Sequence, residues 1–176
     1  MKNNQTRNLV FTALCIAIGL LLPQIVNVIP ISYPGSILLP MHIPVLICGF
    51  VCGARYGALS GAILPLLAFA LTGMPPIFPT GVSMMVELAT YGMLTGLLYK
   101  YSNGKIFLSL IGAMIGGRIV YGLVNTILFS IADQPFGIAI FISGAFVTAL
   151  PGIIIQLIFI PSIIYALKRT NIVGTH

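Results

Sequence analysis

At 176 residues, 59% of them hydrophobic and 6% charged, with a mean hydropathy of +1.12, the chain cannot coat a soluble domain, whose residues are about a quarter charged. Its net charge of +6 comes from eight basic residues that stand singly rather than in a patch, which excludes nucleic acid as the partner. What remains is a single membrane domain (residues 1–176), its length consumed by spans and short connectors, with no room for a soluble catalytic module.

A helix needs about 20 apolar residues to cross a bilayer. The first run, 9–29, meets that length. It follows "MKNNQTRN" without a small-residue cleavage site, so it is expected to be a span rather than a removed signal peptide. "PISYPGSILLP" (30–40) interrupts it. The second run, from 37 or 41 to 56, is short and holds Pro44. "ARYG" then reads as a tight turn, and a third run covers 57–71 with Pro65 inside. "TGMPPIFPTG" (72–81) is a loop, because three prolines remove amide donors and fix φ. The fourth and fifth runs are 82–99 and 106–131. The sixth, 136–167, exceeds one span, so it is expected to begin as a surface segment and to bend at Pro151 and Pro161. The fold class is thus an all-α membrane protein, six transmembrane helices in one compact bundle.

Lys and Arg in short loops mark the cytoplasmic side. Lys2 and Arg7 precede span one, Arg55 falls between spans two and three, Lys100 and Lys105 between four and five, and Lys168 and Arg169 follow span six. With six spans all seven lie on one side, so both termini are expected to be cytoplasmic. The opposite connectors, 30–40, 72–81 and 130–137, contain no Lys or Arg and are rich in Pro, Gly and aromatic residues. Long connectors of distinct composition tend to bind ligands. Gly49, Gly53, Gly57 and Gly61, and the pair Gly112 and Gly116, give the four-residue spacing that lets helix backbones approach. The first series crosses the expected turn, so only part of it can be one stripe.

Arg118 is the basic residue that the topology rule leaves over. An ionisable side chain in a bilayer costs about 2.5–3.5 kcal/mol on insertion scales and usually faces the bundle interior. Asn125 lies two turns along the same face of span five. Glu87 and Tyr91 are one turn apart in span four, Gln156 is inside span six, and His42 starts span two. Two readings stand. Arg118 and Glu87 pair to staple spans five and four, Asn125 and Gln156 make interhelical hydrogen bonds, and His42 caps its helix. Alternatively, all converge on a cavity where the guanidinium fork binds a carboxylate, either a ligand's or that of Glu87. Cys15, Cys48 and Cys52 lack histidine or acidic neighbours and are read as small packing residues rather than metal ligands. No bound metal or cofactor is expected.

The Ala13-x-x-x-Ala17 pair, the run "PMHIPVLICGFVCGARYGALSGAILPLLAFALTGMPPIFPT" and the segment "MMVELATYGMLTGLLY" together resemble the substrate-binding S components of energy-coupling-factor (ECF) vitamin transporters. The resemblance covers nearly the whole chain. It implies a membrane subunit that captures a vitamin from outside, beneath the first, third and fifth loops. It also implies docking through Ala13 and Ala17 onto a membrane scaffold that two cytoplasmic ATPases drive. The chain has no GxxxxGK[ST] phosphate loop, so ATP is expected to be used by those partners. The pattern "HIPVL…GMPP…ELATYG" looks most like the pantothenate-type members, with pyridoxine-type or hydroxymethylpyrimidine members as the alternative. Pantothenate offers a carboxylate to Arg118, and hydroxyls and an amide to Asn125, Tyr91 and Gln156. A neutral ring would instead stack on Tyr33, Phe78 or Phe136. A stand-alone channel or facilitator is a further reading. So is an intramembrane enzyme using His42 and Glu87, though no nucleophile or second acid is spaced to complete it.

Overall fold

The computed structural model describes residues 2–28, 30, 34–132, 137 and 141–169. Its helices are α1 (Lys2–Val26), α2 (Pro34–Leu38), α3 (His42–Cys52), α4 (Ala54–Thr72), α5 (Val82–Tyr101), α6 (Ile106–Ile131) and α7 (Leu150–Arg169). An irregular turn, Ile77–Gly81, leads into α5, and a wide turn, Ser143–Thr148, precedes α7. Among the described residues six stretches are long and apolar enough to cross a membrane, α2 and α3 together making the second. An even number of spans leaves both helical termini at one end, the basic end. There Lys168 Nζ donates to the Gly104 carbonyl at 3.3 Å and lies 5.1 Å from the centre of the Tyr99 ring. At the other, proline-rich end, Gly152 of α7 packs on the backbone of Ile37 and Leu38.

Two boundaries differ from the sequence reading. "ARYG" is no turn: it forms the first helical turn of α4, and the chain reverses at Gly53 alone, whose φ of +86° suits a residue without Cβ. Pro151 does not bend a helix either. It sits in the opening turn of α7, where a missing amide costs nothing, and Pro161 is the proline inside the helix.

Lipid tails are as apolar as leucine, so helices in a bilayer associate by close packing rather than by hydrophobic burial. The glycines do that here. A Cβ on Gly57 of α4 would run into the Gly92 carbonyl of α5, and one on Gly92 would run into that of Gly57. Gly49 and Gly61 also face α5, so three of the four spaced glycines serve one contact from two helices, while Gly53 serves the turn. α1 lies at the edge, chiefly on α3 and α4, where the Cys48 thiol donates to Thr12 Oγ1 at 3.6 Å. Ala13 and Ala17 both point away from the bundle and are exposed.

Helix α6 shows why a charge can be carried at depth. Ile111, Ile115, Ile119, Leu123, Ile127 and Ile131 recur every fourth residue and are all exposed, a stripe facing lipid. Leu110, Ala113, Met114, Gly117, Arg118 and Asn125 are buried on the opposite face.

Candidate ligand-binding site

The core of the basic half is a cluster that includes Leu46 of α3, Tyr91 of α5, Met114 of α6 and Ile160 of α7. One helical turn toward the proline-rich end from these residues stand His42, Glu87, Arg118 and Gln156. Four helices therefore raise one polar residue each onto an apolar floor. Counted from the basic end of each helix at 1.5 Å per residue, all four lie about 15 to 21 Å up, near mid-depth of a hydrocarbon core about 30 Å thick. His42 reaches this depth because α3 is only 11 residues long. It opens its helix, as the sequence suggested, yet it is 3% exposed and lies inside the bundle.

Three of the four touch. Arg118 Nη1 lies 3.1 Å from Glu87 Oε1, and His42 Nε2 lies 3.6 Å from that same oxygen. Neither contact is a hydrogen bond, the second being too long, and among the described residues Oε1 and both imidazole nitrogens have no hydrogen-bond partner. The Tyr91 ring meets that of His42 edge-on, with centroids 5.2 Å apart. Gly117 makes room for it, because a Cβ there would press on the Tyr91 ring at 3.0 Å. Asn125, two turns beyond Arg118, is 1% exposed.

Arg118 Nε, both amide atoms of Asn125 and Gln156 Nε2 are also buried and, among the described residues, unpartnered. Buried polar atoms normally find partners, and each exception asks for a cause. A set of them in one region of a membrane bundle is a set of donors and acceptors available to a polar ligand or to water.

Between this layer and the proline-rich end lies a cavity of about 470 Å³, within the range of small-molecule sites. Its polar lining is Gln24, Asn27, Ser36, His42, Thr72 and Thr80. The first and third interhelical connectors both contribute walls, while residues 133–136 of the fifth, Phe136 among them, lie outside the described residues. His42 is the link: it lines the cavity and contacts Glu87, whereas Arg118, Tyr91, Asn125 and Gln156 stand behind that wall. Phe78 is about half exposed and outside the lining, and Tyr33 lies outside the described residues. Gln24 and Asn27 were not singled out in the sequence. Their signal was polarity three residues apart at the end of an apolar run. Among the described residues, a larger hollow of about 740 Å³ at the basic end is walled by α7 and brings no polar groups together from different helices. Among the described residues no group of three or more His, Cys, Asp or Glu side chains could hold a metal ion.

The family model described as ECF transporter, substrate-specific component, matches residues 7–164. No curated protein and no solved structure gives a significant match. Components of this kind are transport subunits rather than enzymes, bind vitamin-type substrates and associate with an energising ECF module. With the match covering most of a chain of six membrane-spanning stretches, the protein belongs to the ECF transporter substrate-specific component family.

Proposed function

We propose that the chain is the high-affinity binding subunit for pantothenate, taken up from the proline-rich, exoplasmic end beneath residues 30–40, 72–81 and 130–137. Both termini are cytoplasmic in this reading, as the placement of Lys and Arg requires. The observation that carries it is the buried layer of unpartnered polar atoms beside a cavity of vitamin size. The ligand carboxylate takes the Arg118 fork in place of Glu87, a charge-assisted contact stronger than one between neutral groups. Asn125, Tyr91 and Gln156 meet the hydroxyls and amide. The methionines and prolines of the cavity take the gem-dimethyl end. Reaching Arg118 requires the His42 wall to shift, so the free and bound sites differ in side-chain placement.

Transport energy comes from outside the chain. Ala13 and Ala17 offer a flat, exposed face on the edge helix α1 for the scaffold subunit, and two cytoplasmic ATPases bound to that scaffold hydrolyse ATP. A second reading has one observation in its favour: the Glu87–Arg118 pair is already neutral, which suits a pyridoxine-type or hydroxymethylpyrimidine ligand. Purified protein in detergent separates the two. Labelled pantothenate should form a 1:1 complex without ATP, resist competition by pyridoxine, and fail to bind Arg118→Ala protein that still melts cooperatively. Equal binding to that variant would remove Arg118 from the site, and a complex with pyridoxine alone would establish the second reading.

A further inference from the structure

We infer that the site takes up one proton with each carboxylate ligand it binds, and that His42 receives it. The inference rests on the anionic-ligand reading above and follows from counting charges at depth. Glu87 and Arg118, 2% and 6% exposed, form a pair of zero net charge. The chain has one other acidic residue, Asp133, which lies outside the described residues. A monoanion placed on Arg118 displaces Glu87 and leaves one uncompensated negative charge among apolar helices, an arrangement that burial penalises heavily. Neutrality in both the free and the bound site requires a proton to arrive with the anion.

The geometry names the acceptor. His42 Nε2 is 3.6 Å from Glu87 Oε1, and among the described residues both imidazole nitrogens lack a hydrogen-bond partner. One ring nitrogen of a neutral imidazole carries a lone pair that can take a proton. The resulting imidazolium then pairs with Glu87 as Arg118 turns to the ligand, so one ion pair becomes two. Within the triad the displaced Glu87 carboxylate is the one rival base, which the His42 variants separate from the imidazole; other groups around the triad do not compete. From α5 there is Tyr91 and from α6 Tyr121, phenols that ordinarily ionise near pH 10. From α7 there is Gln156, which does not titrate. α1 and α2 present Gln24, Asn27 and Ser36 to the adjoining cavity, and the ionisable groups of α4, Arg55 and Tyr56, sit in its first turn at the basic end, away from the site. His42 also lines the cavity, which gives the proton a route from the aqueous side.

Calorimetric titration of pantothenate into the purified full chain tests this, run near pH 7 in two buffers of different ionisation enthalpy. The buffer dependence should report about one proton bound per ligand. Because the proton is on the bound side, affinity should rise as pH falls, by about tenfold per pH unit over the range of uptake. His42→Asn and His42→Gln should bind more weakly than the native chain, with no proton uptake and a flat pH profile. Binding of pantothenate without uptake by the native chain overturns the inference and spares the ligand reading. Uptake that persists in a folded His42 variant overturns the assignment of the acceptor. No binding of pantothenate at all overturns both readings together. The native chain's proton count decides the main point even if neither variant folds.

Discussion

Replacing Glu87 by glutamine should make the empty protein less stable and its ligand tighter. The oxygen that Arg118 faces at 3.1 Å is charged. At an effective dielectric constant near 20 the gross attraction at that distance is about 5 kcal/mol. Removing one partner of a buried pair typically costs about 3–5 kcal/mol, because the other charge is left uncompensated. For a chain of this size 1 kcal/mol moves the melting temperature by about 2–4 °C, so the variant should melt roughly 6–20 °C lower. A ligand carboxylate restores the missing charge. If it recovers about 2 kcal/mol of the loss, affinity rises roughly 30-fold, and the ligand-induced rise in melting temperature exceeds that of the native chain. The protein carries its own probe for this measurement. Cys15, Cys48 and Cys52 are all buried free thiols, so a thiol-reactive fluorophore reports unfolding in detergent, with calorimetry giving the affinity. A variant that melts like the native chain and binds pantothenate more weakly would refute the reasoning, placing Glu87 in contact with the ligand rather than in competition with it.

Gly92→Ala puts a methyl group into the Gly57 carbonyl; overpacking of this kind costs about 1–3 kcal/mol, and the fluorophore assay should show melting several degrees lower, while an unchanged melt would mean that α4 and α5 can separate freely. Ala13→Leu and Ala17→Leu alter exposed positions of α1 and should leave pantothenate binding intact while abolishing co-purification with the scaffold subunit. Assembly retained by both variants would place the docking face elsewhere.

The polar layer was visible in the sequence because ionisable residues are conspicuous in hydrocarbon. Arg118 and Glu87 had to face inward, and the isoleucine stripe on the far side of α6 shows the same requirement from outside. Four-residue spacings announced glycine packing but not its direction. "CGARYG" offers two glycines as the turn, and only the approach of Gly92 distinguishes Gly57, needed for packing, from Gly53, needed for its φ. The depth of His42 was hidden for a related reason. A helix of half length after a short surface helix reads, letter by letter, like one weak span. Gln24 and Asn27 were missed because polarity at the end of an apolar run is ordinary where chain meets headgroups. Their role depends on which connectors fold over them, a property of tertiary contacts rather than of local pattern.

The half-length helix has a mechanical consequence. α3 ends on a single-residue swivel at Gly53 and begins just after Leu39, itself at a positive φ of 49°, so it is a rigid rod about 16 Å long with a joint at either tip. One flank bears on α1 through Cys48, and the far tip carries the imidazole that lies 3.6 Å from Glu87 Oε1. In the proposed reading, a displacement of that imidazole is carried along α3, which packs on α1 as well as on α4 and α5, with no full-length span having to bend. In that reading, occupancy on one side of the bilayer is thereby felt on the α1 face proposed for docking.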